Sequence, residues 1–120
     1  MSNTEKKLLE LVVKALDDKR AQDIVALDMS EISIVTDYNV ITHGSSSRQI
    51  GALAQSVVDE ANKNGYEINR IEGKGSNKWI LIDLGSIVVH IFNQEERDFF
   101  KLESLWTEAI TIDIQDWIVE

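Results

Sequence analysis

Hydrophobic residues recur at helical spacing in two long segments of the chain. In the first segment they fall at i, i+3, i+4, i+7 and i+8, on one face of a helix: Leu8, Leu11, Val12, Ala15 and Leu16. This spacing predicts a helix over residues 2–19. A second stripe, which follows a run of serines, predicts a helix over residues 45–64. Ser46 is suited to cap it, and Gly65 ends it because glycine adopts the left-handed conformation at no steric cost.

Short apolar runs between turn residues predict the strands of a sheet. These runs cover residues 23–28, 37–42, 67–72 and, as a pair joined by a tight turn, 79–92. Their apolar residues are mostly consecutive, which is typical of strands covered on both faces. Asn93, with Glu96 three residues later, is suited to cap a last short helix. The predicted fold is α/β: a single domain with a mixed sheet of about five strands and helices packed on it.

The C-terminal segment differs from the rest of the chain in composition. Residues 107–120 contain four acids and no Lys or Arg. Isoleucines at 110, 112 and 114 alternate with polar residues, which favours an added edge strand or an arm. A partly ordered tail fits the same segment. We therefore divide the chain into a domain over residues 1–107 and an acidic C-terminal tail over residues 108–120.

The composition is typical of a soluble globular protein, with 43% hydrophobic and 28% charged residues among 120. The absence of cysteine excludes disulfides and thiolate metal sites. The N-terminal segment lacks the features of a signal or transit peptide. No apolar run approaches the roughly 20 residues needed to span a bilayer. We expect a cytoplasmic protein without membrane association.

The net charge of −9 disfavours binding to nucleic acid phosphates, which requires clustered Lys and Arg. A basic partner protein suits this surface better, because opposite charges speed encounter. Acidity that serves only solubility would look the same, so the charge leaves both interpretations open.

The Gly44–Arg48 segment also admits two interpretations. A Gly/Ser turn at a helix N-terminus, with an arginine beside it, can hold an anion, as the triphosphate loop of a nucleotidyltransferase does. Such an enzyme also needs a set of carboxylates on adjacent strands to hold Mg²⁺, and Asp83 stands alone in an apolar run. In the other interpretation the serines only cap the helix.

The sequence offers few candidate residues for metal binding or for hydrolase catalysis. His43 and His90 lie far apart and outside any metal-binding motif, so no metal or other cofactor is expected. No Gly-x-Ser-x-Gly elbow and no cysteine nucleophile is present. We expect a protein that is not an enzyme and has no catalytic residues.

Large aromatic residues are concentrated between Trp79 and Trp106. Trp79 begins a strand after a polar loop and is expected at the rim of the sheet. Phe99, Leu102 and Trp106 form a stripe that is expected to be buried, and Phe100 falls off that stripe. Aromatic residues are enriched both in cores and at interface hot spots, so periodicity alone does not decide between the two.

Several blocks of the sequence resemble the ribosomal silencing factor family, also called Iojap. They are residues 23–28, 36–41, 43–49, 72–73, 79–85, 89–92 and 96–106. The resemblance spans residues 4–107, in order and with family-like spacing. It implies an α/β fold related to nucleotidyltransferases but without their catalytic carboxylates.

The resemblance also implies a function and a partner. Members of the family bind large-subunit ribosomal protein fourteen at the face of the large ribosomal subunit that meets the small subunit. This binding blocks subunit joining and represses translation under nutrient limitation. The resemblance further implies a homodimer away from the ribosome and little direct contact with nucleic acid. Organellar members of the family carry N-terminal extensions, so the resemblance is to the bacterial members and implies a bacterial cytoplasm.

The resemblance places partner contacts on the sheet and the last helix: Trp79, Leu81, Asp83, His90, Arg97, Phe100 and Glu103. Trp79 and Leu81 would form an apolar anchor, and Asp83 and Glu103 would meet Lys or Arg of the ribosomal protein. The family usually has tyrosine where this chain has Phe100, so a hydroxyl contact is lost. Nothing is transferred to residues 108–120.

Overall fold

The computed structural model describes residues 3–75 and 78–119, without the side chains of Asn3, Thr4 and Glu103. The helices are α1 (Asn3–Asp18), α2 (Ser47–Lys63), α3 (Gln94–Phe100) and α4 (Leu102–Leu105). The strands are β1 (Gln22–Asp28), β2 (Tyr38–Gly44), β3 (Arg70–Glu72), β4 (Trp79–Asp83), β5 (Ile87–Asn93) and β6 (Ile110–Thr111). A turn of 3₁₀ helix covers Gln115–Trp117. The predicted element order is confirmed, and Ser2, at the predicted start of α1, lies outside the described residues.

Both predicted N-caps are present. The Ser46 hydroxyl accepts a hydrogen bond from Gln49 N at 3.1 Å, and Asn93 Oδ1 accepts one from Glu96 N at 2.7 Å. Each bond satisfies a backbone N–H that has no partner within its helix. Local sequence therefore determines where α2 and α3 begin.

The strands form one mixed sheet in the order β3-β4-β5-β2-β1-β6. The β2–β5 pair is parallel and the other pairs are antiparallel. Strand β3 is shorter than the predicted 67–72, since it begins only at Arg70; Tyr66 and Ile68 before it pack against the core formed with α1 and α2. The sixth strand, β6, comes from the C-terminal segment.

Helices α1 and α2 cover one face of the sheet and form the larger core with it. Its fully buried residues include Leu16 of α1, Leu53 of α2, and Val40, Ile82 and Val89 of the strands. The side chains of successive strand residues point to opposite faces, so the intervening positions lie on the second face.

The short helices α3 and α4 cover only part of the second face. Leu102 packs there with Leu27, Met29, Ile41 and Phe92 in a smaller core. Among the described residues, the rest of this face, on β4 and the first half of β5, has no helix over it except at Trp79, which Phe100 of α3 contacts. This uncovered area holds most of the residues that the family resemblance predicts to contact a partner.

The C-terminal segment packs against the domain in the described residues. Strand β6 pairs with β1, with Thr111 opposite Leu27. Ile114 is buried in the main core, and Val119 N donates to Asp17 Oδ2 at 2.9 Å. Of the alternatives that the alternation allowed, the edge strand is the one observed.

Candidate protein-binding face

A mixed apolar and polar surface lies on the second face of the sheet, which we call the open face. It consists of Trp79, Leu81, Asp83, Val88 and His90. Strand alternation places these five residues on one side of β4 and β5. The register pairs Leu81 with His90 and Asp83 with Val88. The open face is therefore built on paired strands and not on loops, which fixes the spacing of its side chains.

Trp79 is the largest residue of the open face and packs among other rings. Its ring centroid lies 4.9 Å from that of Phe92 and 5.1 Å from that of Phe100. These distances are typical of favourable aromatic pairs. The indole is half-buried, and its Nε1 is buried without a hydrogen-bond partner among the described residues. Trp79 thus presents an apolar surface and a buried donor, as expected at the rim of the sheet.

His90 is buried beside Trp79, and a hydrogen bond to one of its two ring nitrogens fixes its orientation. Its Nε2 lies 3.2 Å from Asn39 Oδ1, while its Nδ1 is buried without a partner among the described residues. Burial lowers the pKa of His90 from 6.5 to about 4, so the ring is neutral at pH 7. Nε2 therefore carries the proton that it donates to Asn39, and Nδ1 is left as an acceptor.

Asp83 supplies the negative charge of the open face. Its Oδ1 accepts a hydrogen bond from Gly85 N at 2.8 Å, which orients the carboxylate at the end of β4. Its Oδ2 lies 3.9 Å from Arg70 Nη2, at the limit of an ion pair, and the Arg70 side chain is mostly exposed. Such a pair contributes little to stability. The carboxylate can exchange Arg70 for a cation of a partner at small cost.

Arg97 points into the protein and binds main-chain and imidazole acceptors. Its Nη1 lies 2.7 Å from Asp23 O and 2.9 Å from His43 Nδ1. His43 Nε2 in turn lies 3.1 Å from Gln22 Oε1. These bonds tie α3 to β1 and β2, and hydrogen bonds from a charged donor are among the stronger ones. Arg97 therefore positions α3 beside the open face.

The predicted stripe of Phe99, Leu102 and Trp106 is wrong for Phe99, which is 77% exposed. Lys101 adopts a left-handed conformation, with φ 47°, and ends α3 before α4 begins. A single helical period therefore does not run from residue 99 to residue 106. Leu102 is buried as predicted, and Trp106 is half-buried against the smaller core.

Phe100 lies at the border of the open face. It is 40% exposed and contacts both Trp79 and Phe99, with the Phe99 ring edge-on at 5.2 Å. Its exposed part extends the apolar surface of Trp79 across to α3. Glu103 follows in α4, but its side chain lies outside the described residues.

The Gly44–Arg48 segment forms hydrogen bonds with the side chain of Gln49. Gln49 Oε1 accepts hydrogen bonds from Ser45 N at 2.6 Å and from Ser45 Oγ at 2.9 Å. Gln49 Nε2 donates to Lys19 O and Arg20 O, which ties α2 to the end of α1. Ser45 N, Ser45 Oγ and Gln49 N, which could contribute to a phosphate site, are thus engaged within the chain, which favours the capping interpretation.

No group of three or more His, Cys, Asp or Glu side chains that could hold a metal ion occurs among the described residues. No helix in residues 3–75 and 78–119 is long and apolar enough to cross a membrane. The arrangement on the open face is suited to binding a protein surface, since it combines the apolar side chains of Trp79, Leu81 and Val88 with the carboxylate of Asp83.

Two contributors to this face were missed by the sequence analysis. Val88 shares strand parity with His90 and Phe92, so alternation could have found it. Asn39 gave no local signal, because its contact with His90 joins residues 51 positions apart. That contact depends on the parallel pairing of β2 with β5.

Comparison with known proteins identifies relatives over most of the chain. The family model described as "Ribosomal silencing factor during starvation" matches residues 2–120. A ribosomal silencing factor from Bacillus subtilis is 44% identical over 110 residues, which span 92% of this chain and 93% of the relative. Another from Halalkalibacterium halodurans is 45% identical over 115 residues, 96% of this chain and 97% of the relative. A crystal structure of a Bacillus halodurans protein superposes with a TM-score of 0.81 at 44% identity, covering 90% of this chain and 98% of that one.

Proposed function

The chain belongs to the ribosomal silencing factor family, and we propose that it represses translation by binding the large ribosomal subunit. In this proposal it acts in the cytoplasm as a steric factor and catalyses no reaction. Its direct partner is large-subunit ribosomal protein fourteen. Occupying the face where that protein meets the small subunit prevents the two subunits from joining when nutrients are scarce.

The observation that carries this proposal is the open face itself. Trp79 and Leu81 are half-buried apolar side chains at adjacent positions of one strand face, and Phe100 of α3 packs beside Trp79. Partly exposed tryptophan on a rigid surface is the residue type most enriched among interface hot spots. A pocket for a reacting small molecule would instead bring convergent polar groups together.

Charge supports a basic protein as the partner. Asp83 has its carboxylate at the edge of the apolar anchor, with Arg70 at 3.9 Å as its weak ion-pair partner. The whole chain has a net charge of −9. A basic surface approaching this face would be steered by the field of the whole protein and would pair locally with Asp83.

The other residues predicted to contact the partner have different roles in this proposal. Phe100 contacts the partner beside Trp79, through a ring without a hydroxyl. His90 and Arg97 are buried, so they act by holding Trp79, Leu81 and α3 in place. Glu103 stays assigned as a contact for a basic side chain on the strength of the resemblance.

Self-association is a second part of the proposal. Phe99 and Leu105, beside the open face, are 77% and 68% exposed. Such side chains would be covered in a homodimer formed away from the ribosome. Because the same side of the molecule would then bind both partners, dimer and ribosome complex exclude one another. Sedimentation equilibrium tests this: Phe99→Ser should shift the protein towards monomer, and an unchanged dimer would contradict the assignment.

Co-sedimentation with purified large subunits, followed by a subunit-joining assay, tests the proposed function. The protein should sediment with large subunits and reduce the yield of joined ribosomes in proportion to its occupancy. Binding to large subunits without any effect on joining would contradict the steric part. A protein that remains in the supernatant at micromolar subunit concentration would contradict the proposal as a whole.

A further inference from the structure

A groove of about 640 Å³ lies next to the open face. One wall is the loop after β1, with Met29, Ile32, Ser33 and Thr36. The other wall is the segment from Leu105 to Glu108. Asn39 and His90 also line it, and both are buried, so they form its floor.

Apolar side chains are exposed in and beside both walls. They are Ile32, Ile34, Val35 and Leu105, of which Ile34 is fully exposed and Val35 is 77% exposed. Neighbouring apolar side chains of this size are seldom left uncovered on a soluble protein unless they bind something. The loop is itself ordered by internal bonds, since Ser33 Oγ accepts from Val35 N and Thr36 N.

The rim of the groove is acidic. The segments 28–37 and 102–119, which carry its walls, contain no Lys or Arg. Glu31 and Asp37 belong to the segment that carries one wall, and Glu108 lies on the other.

The groove is continuous with the open face through two aromatic residues. His90 lies in both, and its ring centroid is 6.1 Å from that of Trp106, which lines the groove. His90 Nδ1 is a buried acceptor without a partner among the described residues.

We propose that the groove binds a short basic segment of the partner protein, with one apolar side chain between the walls and flanking Lys or Arg side chains over the acidic rim. This inference rests on the proposed function, because it assigns a second contact to the protein that the open face binds. The acidic rim repels phosphate, so a protein segment and not RNA is the occupant.

A matched pair of double variants tests this assignment. Ile32→Ser with Glu108→Lys alters the groove, and Val119→Ser with Asp59→Lys makes the same kind of change on exposed residues outside it. Both pairs change the net charge equally. The groove pair should weaken binding to isolated large-subunit protein fourteen by about tenfold or more, and the control pair should stay within about twofold of wild type.

The outcomes separate this inference from the proposed function. If the groove pair binds isolated protein fourteen with wild-type affinity while Trp79→Ala loses affinity, the groove is not a contact site and the assignment of the open face is unaffected. Weakened binding to whole large subunits but not to isolated protein fourteen would also overturn it, since the occupant would then be another ribosomal component. If the groove pair melts below wild type, Glu108→Lys alone repeats the test at an exposed residue that lines the groove, with a loss of affinity expected and wild-type affinity as the refutation.

Discussion

The indole of Trp79 and the imidazole of His90 lie with their ring centroids 5.9 Å apart on the open face. Each ring carries a buried nitrogen without a hydrogen-bond partner among the described residues. The indole Nε1 only donates, and His90 Nδ1 only accepts while Nε2 donates to Asn39. Unpaired buried polar groups cost free energy, so the packing of these two rings against each other and against Phe92 has to offset that cost.

Reversing the charge of Asp83 should weaken partner binding chiefly by slowing association. Asp83→Lys removes the local counter-charge for a basic surface, and rim charges act mainly on the association rate and its salt dependence. Surface plasmon resonance at two ionic strengths measures both. Arg70→Ala is the control, because it removes the weak ion pair but keeps the carboxylate. Equal salt dependence in wild type and Asp83→Lys would contradict the assignment.

Arg97→Met should destabilise the fold more than it weakens the interface. It leaves Asp23 O and His43 Nδ1 without their guanidinium donor, at a cost of about 2 kcal/mol in the free energy of unfolding. Urea denaturation measures this cost. Arg97→Lys, which keeps the charge but loses the planar fork, should recover part of it. A stable Arg97→Met variant that binds as poorly as Trp79→Ala would show that Arg97 contacts the partner directly.

The stability of the protein should depend on pH through His90. Its pKa is about 4 in the folded state and 6.5 in the unfolded chain, so the unfolded state binds more protons between these values. The contribution of neutral His90 is present above pH 6.5 and is lost as the pH falls towards 4. The loss is roughly 3 kcal/mol at most, from 1.36 kcal/mol per pKa unit.

Comparison with His90→Gln isolates this effect from the titration of the carboxylates. Glutamine keeps a donor for Asn39 Oδ1 but does not titrate. Wild type should lose more unfolding free energy than His90→Gln between pH 7 and pH 4. Parallel pH profiles for the two proteins would contradict a depressed pKa at His90.

Nucleotides should not bind at the Gly44–Arg48 segment. Gln49 Oε1 already accepts the hydrogen bonds of Ser45 N and Ser45 Oγ. Isothermal titration calorimetry with ATP, CTP and GTP in the presence of Mg²⁺ should give no binding heat at millimolar nucleotide. Saturable heat that Arg48→Ala abolishes would restore the nucleotidyltransferase alternative.

Much of the fold could be predicted from local patterns. The stripe of α1, the caps at Ser46 and Asn93 and the paired strands over residues 79–92 all depend on neighbours in sequence. The strand order could not be predicted this way, because β5 pairs in parallel with β2 across α2, β3 and β4.

In the candidate site, too, some features could be predicted from local sequence and others could not. Trp79 was predicted at the rim from the loop that precedes it. The exposure of Phe99 was missed because the left-handed conformation of Lys101, a residue type that seldom adopts it, has no sequence signal. The inward direction of Arg97 was missed as well, because its acceptors belong to β1 and β2, more than 50 residues away.

The affinity of Trp79→Ala for large ribosomal subunits tests the central claim most directly. Trp79→Phe serves as its control, since phenylalanine keeps part of the packing against Phe92 and Phe100. With folding verified by thermal melting, Trp79→Ala should lose about 2 kcal/mol of binding free energy, roughly thirtyfold in Kd, and Trp79→Phe should lose less. Subunit joining should recover in parallel. A folded Trp79→Ala protein that binds large subunits and blocks joining as wild type does would contradict the account.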